Sequence, residues 1–143
     1  MNWVDINDQK LAVIALDTLV IGSGCAGFNA ADTLFDLGRS VAILTEGLKM
    51  GTSRNTGSDK QTYYKLSLCS DSADSIYELA ENLFRGGSVN GDTALAEAAG
   101  SVRSFMKLVN LGVPFPTNQY GEYVGYKTDH DPRQRATSCG PLT

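Results

Sequence analysis

The run Asp17-Thr-Leu-Val-Ile21 followed at once by Gly22-Ser-Gly-Cys-Ala-Gly27 constrains this chain more than any other feature. The first five residues are short, β-branched and apolar, and read as a strand that stops at Gly22. Cys25 to Leu37 reads as a helix, with Ala26, Ala30, Leu34 and Leu37 on one face and Gly38 as its stop. Val41 to Leu44 reads as a second buried strand. A strand, a tight turn, a helix and a strand within about thirty residues make a β-α-β unit, which belongs in a parallel sheet. The expected fold class is therefore α/β.

The G-x-G-x-x-G pattern carries information here because a strand precedes it and a helix follows it. Gly22 allows the tight turn, Gly24 lets the backbone approach a pyrophosphate, and Gly27 lets the helix pack close to the strand. The free N–H groups of Cys25, Ala26 and Gly27, with Ser23 beside them, then face an anion at the positive end of the helix dipole. The alternative is a structural glycine turn with no ligand. Glu46 follows the second strand at the place where an acidic side chain accepts hydrogen bonds from both ribose hydroxyls, which disfavours a 2′-phosphate and hence NADP.

The bulk properties narrow the field by exclusion. The chain has 143 residues, 42% hydrophobic and 20% charged, which suits one globular domain. Its net charge of −4 argues against nucleic acid as a partner. The longest apolar run, Leu11 to Leu16, is far too short to span a bilayer, and Asp5 and Asp8 precede it where a signal peptide would be basic. No direct membrane insertion is expected. Cys25, Cys69 and Cys139 are scattered and odd in number, and there is one histidine, so no metal site is expected and a cytoplasmic location is the simplest compartment.

Along the chain, residues 1–16 read as a lead-in and residues 17–143 as one incomplete domain. Residues 47–70 hold Gly, Ser and Thr without periodicity and read as a long surface loop, the kind that often binds something. Within it, Ser53, Arg54, Asn55 and Thr56 are candidates to line a flat polar ring or a phosphate, with an ordinary polar loop as the alternative. Ser75-Ile-Tyr-Glu78 offers a capping box for a helix with Ile76, Leu79, Ala80, Leu83 and Phe84 inside, closed by Gly86-Gly87. A third helix starts near Asp92 as N-cap, buries Leu95, Ala98, Ala99, Val102, Phe105, Met106 and Val109, and ends at Gly112 and Pro114. A short strand is expected at Tyr123 to Tyr126. Cys25 reads as a small packing residue rather than a redox thiol. His130 and Arg133 read either as contacts for an anionic substrate or a flavin edge, or as part of a surface turn.

These residues resemble the succinate dehydrogenase and fumarate reductase flavoprotein family, which includes L-aspartate oxidase. The resemblance rests on Asp17 to Ala31 and on Val41-Ala-Ile-Leu-Thr-Glu46. It extends through Ser53 to Gln61, at the place of that family's small-residue loop near the flavin, and through Gly87 to Asp92 and Asn110 to Phe115. Thr128 to Arg135 resembles the family's Gly-His-Ser-x-x-Arg region. What the resemblance implies is a Rossmann-like FAD-binding domain, of which this chain is the N-terminal part. A capping domain with a catalytic arginine would lie beyond Thr143. It further implies hydride transfer between FAD and a small dicarboxylate or amino acid, with an electron-transfer subunit as a further partner.

The sequence departs from the family at three places. No histidine stands in the loop where respiratory members attach FAD covalently, so the cofactor is expected to be non-covalent. Asp59-Lys60-Gln61 replaces glycine and alanine, and Asp129 and Asp131 flank His130 where Gly and Ser are usual. Two other readings stay open: an NAD-dependent dehydrogenase, against which the polar loop and two helices after Glu46 speak, and a non-catalytic nucleotide-binding scaffold.

Overall fold

A computed structural model describes residues 2–55, 62–69, 73–128 and 131–140. The chain divides into two units, residues 1–57 and residues 58–143.

The first unit opens with a hairpin. β1 (Asn2–Ile6) pairs antiparallel with β2 (Gln9–Val13), Ile6 opposite Gln9. The two residues between them, Asn7 at φ 49° and Asp8 at φ 62°, are both left-handed, as the tightest hairpin turn requires. This stretch was expected to be a lead-in. Its signal was the alternation of Val4 and Ile6 with Leu11 and Val13 around an Asn-Asp pair.

The β-α-β unit follows. β3 (Thr18–Ile21) and β4 (Val41–Leu44) are parallel, Thr18 opposite Val41 and Ile21 opposite Leu44, and α1 (Cys25–Asp36) makes the crossover. A polar clamp sets the register at the strand starts. The amide and hydroxyl of Ser40 both donate to the Asp17 carboxylate at 2.9 Å, while the Asp17 amide donates back to the Ser40 hydroxyl and carbonyl. The Ser40 amide and hydroxyl hold the Asp17 carboxyl below the usual aspartate range. The helix closes on Gly38, whose amide bonds to Phe35 while that of Arg39 reaches Leu34, a Schellman arrangement. The packed face of α1 differs from the expected one. Ala31 is its buried residue, with Gly27 and Leu34 half-buried, whereas Ala26, Ala30 and Leu37 are exposed. Gly27 sits directly against the strand, and that contact turns the face toward positions one helical turn and two turns beyond it.

The stretch 47–70 is not one loop. It contains a single helical turn, α2 (Thr52–Asn55), and a three-residue strand, β5 (Thr62–Tyr64). The Asn55 side chain, not an apolar face, closes α2 by donating to the carbonyls of Lys49 and Gly51. β5 is too short to show alternation, and its partner lies far along the chain.

Both β5 and that partner belong to the second unit, which besides β5 holds α3 (Ile76–Arg85), α4 (Gly91–Asn110), β6 (Tyr126–Thr128) and β7 (Asp131–Ser138). The strands form an antiparallel sheet in the order β5-β7-β6. Ser75 caps α3 by accepting from the Glu78 amide at 3.1 Å. Asn90, two residues ahead of the expected Asp92, caps α4 by accepting from the amides of Asp92 and Thr93. Leu79 and Ala80 of α3 meet Ala94 and Ala98 of α4 in the core. The buried face of α4 runs Ala94, Ala98, Ser101, Phe105, so the expected Leu95, Ala99 and Met106 lie outside it. Phe105 stacks against Phe115 and Tyr123, with ring centroids 4.6 and 5.0 Å away.

The strand expected at Tyr123 begins instead at Tyr126; Tyr123 makes only an isolated bridge to Thr117. β7 was not foreseen, because its buried residues include Asp131, Arg135 and Thr137 and so it lacks an apolar alternation. Arg135 is fully buried. It donates to Asp74 at 2.6 and 2.8 Å and to Asp131 at 2.9 Å. Among the described residues, no helix is long and apolar enough to cross a membrane.

Candidate functional site

β3 does not stop cleanly at Ile21. The Gly22 amide donates to the Leu44 carbonyl at 2.7 Å, carrying the parallel ladder one bond further. The chain then reverses through Gly22 at φ +97°, a left-handed conformation that a side chain would strain. At Gly27 the demand is steric. A Cβ there would collide with the Gly22 carbonyl oxygen and stand 3.4 Å from Val20 Cγ1. Gly24 is different. Its φ of −70° is ordinary, and a Cβ would meet only Ser53 Oγ at 3.5 Å, normal van der Waals contact. The protein itself requires Gly22 and Gly27 but not Gly24. A bare backbone at Gly24 is what a close-approaching ligand needs.

The end of α1 beside Gly24 suits an anion. Gly24 provides no side-chain cap, and the first turn holds no acidic residue. The first backbone bond of the helix is Phe28 to Gly24, at 2.9 Å, so the amides of Cys25, Ala26 and Gly27 precede the helical ladder. The Cys25 amide donates to Ser53 Oγ at 3.0 Å. Ser53 comes from α2, so the short helix brings a hydroxyl to the positive end of α1.

A cleft of about 350 Å³ lies here, between the glycine turn from Ile21 to Gly24 and the segment Leu44 to Glu46, with Met50 and Gly51 at its edge. That volume falls in the range of small-molecule sites. Across it Ser23 Oγ and Thr45 Oγ1 are hydrogen-bonded at 2.9 Å, and Thr45 donates to the Gly47 carbonyl at 3.4 Å. The glycine turn and the exposed Glu46 both line this cleft.

The structure places the sequence candidates unevenly. Gly22, Ser23, Gly24 and Glu46 line the cleft, and Cys25, Ala26 and Gly27 form the adjoining first turn of α1. The Cys25 thiol is exposed and accepts from Asn29 Nδ2 at 3.6 Å. Ser53 is brought to the turn. Arg54 is exposed and does not line the cleft, and Asn55 bonds within its own segment. Thr56, the Asp59-Lys60-Gln61 departure and His130 lie outside the described residues.

In the second unit, Arg133 gives two hydrogen bonds to Glu78, at 2.8 and 3.0 Å. That pairing lowers the Glu78 carboxyl and raises the Arg133 guanidinium. Gly51, at the start of the polar loop singled out from the sequence, lines the cleft, whereas Thr45 and Met50 were passed over. Thr45 carried a signal, a hydroxyl immediately before the acidic residue that ends the second strand. Met50 carried none. Among the described residues, no group of three or more His, Cys, Asp or Glu could hold a metal ion.

Compared with known proteins, the chain matches one family model, described as FAD binding domain, over residues 17–141. No curated protein matches it.

Proposed function

The chain belongs to the FAD binding domain family, whose cofactor is FAD and whose members are typically oxidoreductases, and on that premise we propose that it serves a flavin-dependent oxidoreductase of the fumarate reductase and succinate dehydrogenase type. The adenosine and pyrophosphate half of FAD would lie in the cleft of the first unit, with the β-α-β unit as the start of a Rossmann-like domain. The observation that carries this reading is Gly24: a glycine the protein does not need, beside uncapped helix amides and facing Glu46.

The residues fit that half of the cofactor by their donor chemistry. The amides of Ala26 and Gly27 would bind the pyrophosphate, with the Ser53 hydroxyl on the neighbouring Cys25 amide. Glu46 would accept from the ribose hydroxyls. When bound, FAD supplies two-electron chemistry by hydride transfer at flavin N5, and the protein supplies binding and orientation. The proposed substrates are small dicarboxylates or amino acids. Attachment is non-covalent, since Arg54, not histidine, stands in the loop where respiratory members of that type attach the flavin.

A titration with FAD, followed by flavin fluorescence and by acid precipitation, tests the proposal. Uptake of FAD, its release into the acid supernatant and its displacement by ADP are the expected results. Tighter binding of NAD than of FAD, or flavin that stays with the precipitated protein, would contradict it.

A further inference from the structure

The Ser23–Thr45 hydrogen bond, 2.9 Å long with either hydroxyl able to donate, joins the two segments that line the cleft. Thr45 Oγ1 also lies 3.4 Å from the Gly47 carbonyl, a longer and weaker contact. Together the contacts link Ser23, Thr45 and Gly47. Gly47 O accepts a second bond, from the Met50 amide at 3.1 Å, which closes the turn after it. Glu46 lies between Thr45 and Gly47, so its backbone is bracketed by these contacts on both sides.

The pair ties the glycine turn to the segment that carries Glu46, the two places that would hold the pyrophosphate and the ribose of the cofactor.

We propose that Ser23 and Thr45 form a hydroxyl tie whose role is to position Glu46. The part of this that concerns the cofactor rests on the reading that FAD occupies the cleft. Ser23 and Thr45 are positioning residues and act through Glu46.

The test uses the full chain with S23A, T45V, the double variant and T45S, each also in an E46Q background. Flavin fluorescence titration gives the FAD affinity, and urea unfolding of the FAD-free protein gives the stability. S23A and T45V should each weaken FAD about threefold to tenfold, the range for one lost hydrogen bond. The double variant should be no worse than either single one, and T45S should restore binding. In E46Q, T45V should cost less than about twofold, because the residue it positions no longer carries the charge. In the FAD-free protein the two substitutions should likewise be non-additive in urea midpoint. A loss of FAD affinity in S23A with none in T45V would make Ser23 a phosphate ligand and overturn the proposal. Additive urea midpoints, or an undiminished T45V effect in E46Q, would do the same. Should the unsubstituted chain fail to bind FAD at all, the cofactor reading falls, and the urea cycle alone still decides whether the tie exists.

Discussion

The two units of this chain handle polar groups in opposite ways. The second unit buries a cluster of paired charges. Arg135 has no exposed side-chain surface and is gripped by Asp74 and Asp131, each with only 4% of its side chain exposed. Lys65 is also fully buried, with its ammonium 4.7 Å from the centroid of Phe105 and one bond to the Leu66 carbonyl. The first unit buries no charged residue among those described. Its polar groups at the cleft are backbone amides, two linked hydroxyls and an exposed carboxylate. Buried, paired charge fixes a structure, because losing either partner leaves the other stranded in low dielectric. Backbone dipoles turned toward an open cleft stabilise little by themselves and are available to a ligand. The contrast separates a unit with buried, paired charges from one whose cleft leaves polar groups open to a ligand.

Removing Arg135 should break that contrast most severely. Arg135→Met leaves Asp74 and Asp131 buried without their cation and should cost about 3–5 kcal/mol of stability in urea unfolding. A loss under about 1 kcal/mol would mean the buried network does not hold the second unit together.

In the first unit the corresponding structural test is Gly27→Ala. The added methyl meets the Gly22 carbonyl, and forcing α1 off the strand should cost about 1–3 kcal/mol. The same substitution should also weaken FAD, since Gly27 sets the height of the helix amides. Unchanged stability in the same urea assay would show that the helix has room to shift.

Acid offers a gentler version of the first break. Burial acts to raise the Asp74 carboxyl, but the Arg135 guanidinium and the amides of Ser67 and Ser75 outweigh it and hold the group below its usual range. The unfolded chain therefore binds this proton at a higher pH than the folded one. The stability contributed by Asp74 is complete above the unfolded aspartate value, near pH 4, and is lost as pH falls from there through the folded value. Urea midpoints measured from pH 6 downward should drop below about pH 4, and the drop should be shallower in Arg135→Met. Equal slopes in the two proteins would sever the link between Asp74 and Arg135.

The same contrast explains what the sequence made legible. The β-α-β unit was readable because its determinants are contiguous: a strand, three glycines with separate local jobs, and a helix stop at Gly38. The match of strand β4 to Val41–Leu44 needed no distant residue. The second unit was harder because its determinants are far apart. Asp74 and Arg135 are 61 positions from one another, and Glu78 and Arg133 are 55. Nothing local marks Arg135 as buried, and Pro132 with the surrounding charges disguised β7 as a turn. Glu78 shows the mixture well. Its amide is capped by Ser75 as the local motif predicts, yet its side chain leaves the capping box to bind Arg133. At the cleft, the glycine turn and Glu46 were legible from spacing. Ser53 was singled out as a flavin-side residue, and only the fold shows its hydroxyl on the Cys25 amide. Thr45 became visible once Ser23 was seen to reach it.

Gly24 is where the account can be tested most directly. Its backbone angles and surroundings tolerate a methyl group, so Gly24→Ala should keep the urea midpoint within about 1 kcal/mol of the parent, the scale of an altered N-cap. FAD affinity, read by flavin fluorescence in the same two proteins, should fall about tenfold or more, as expected when one methyl intrudes on a close contact. Retained stability with lost FAD affinity is the result predicted for a glycine kept for its ligand. Unchanged FAD affinity would contradict the placement of the cofactor at this turn.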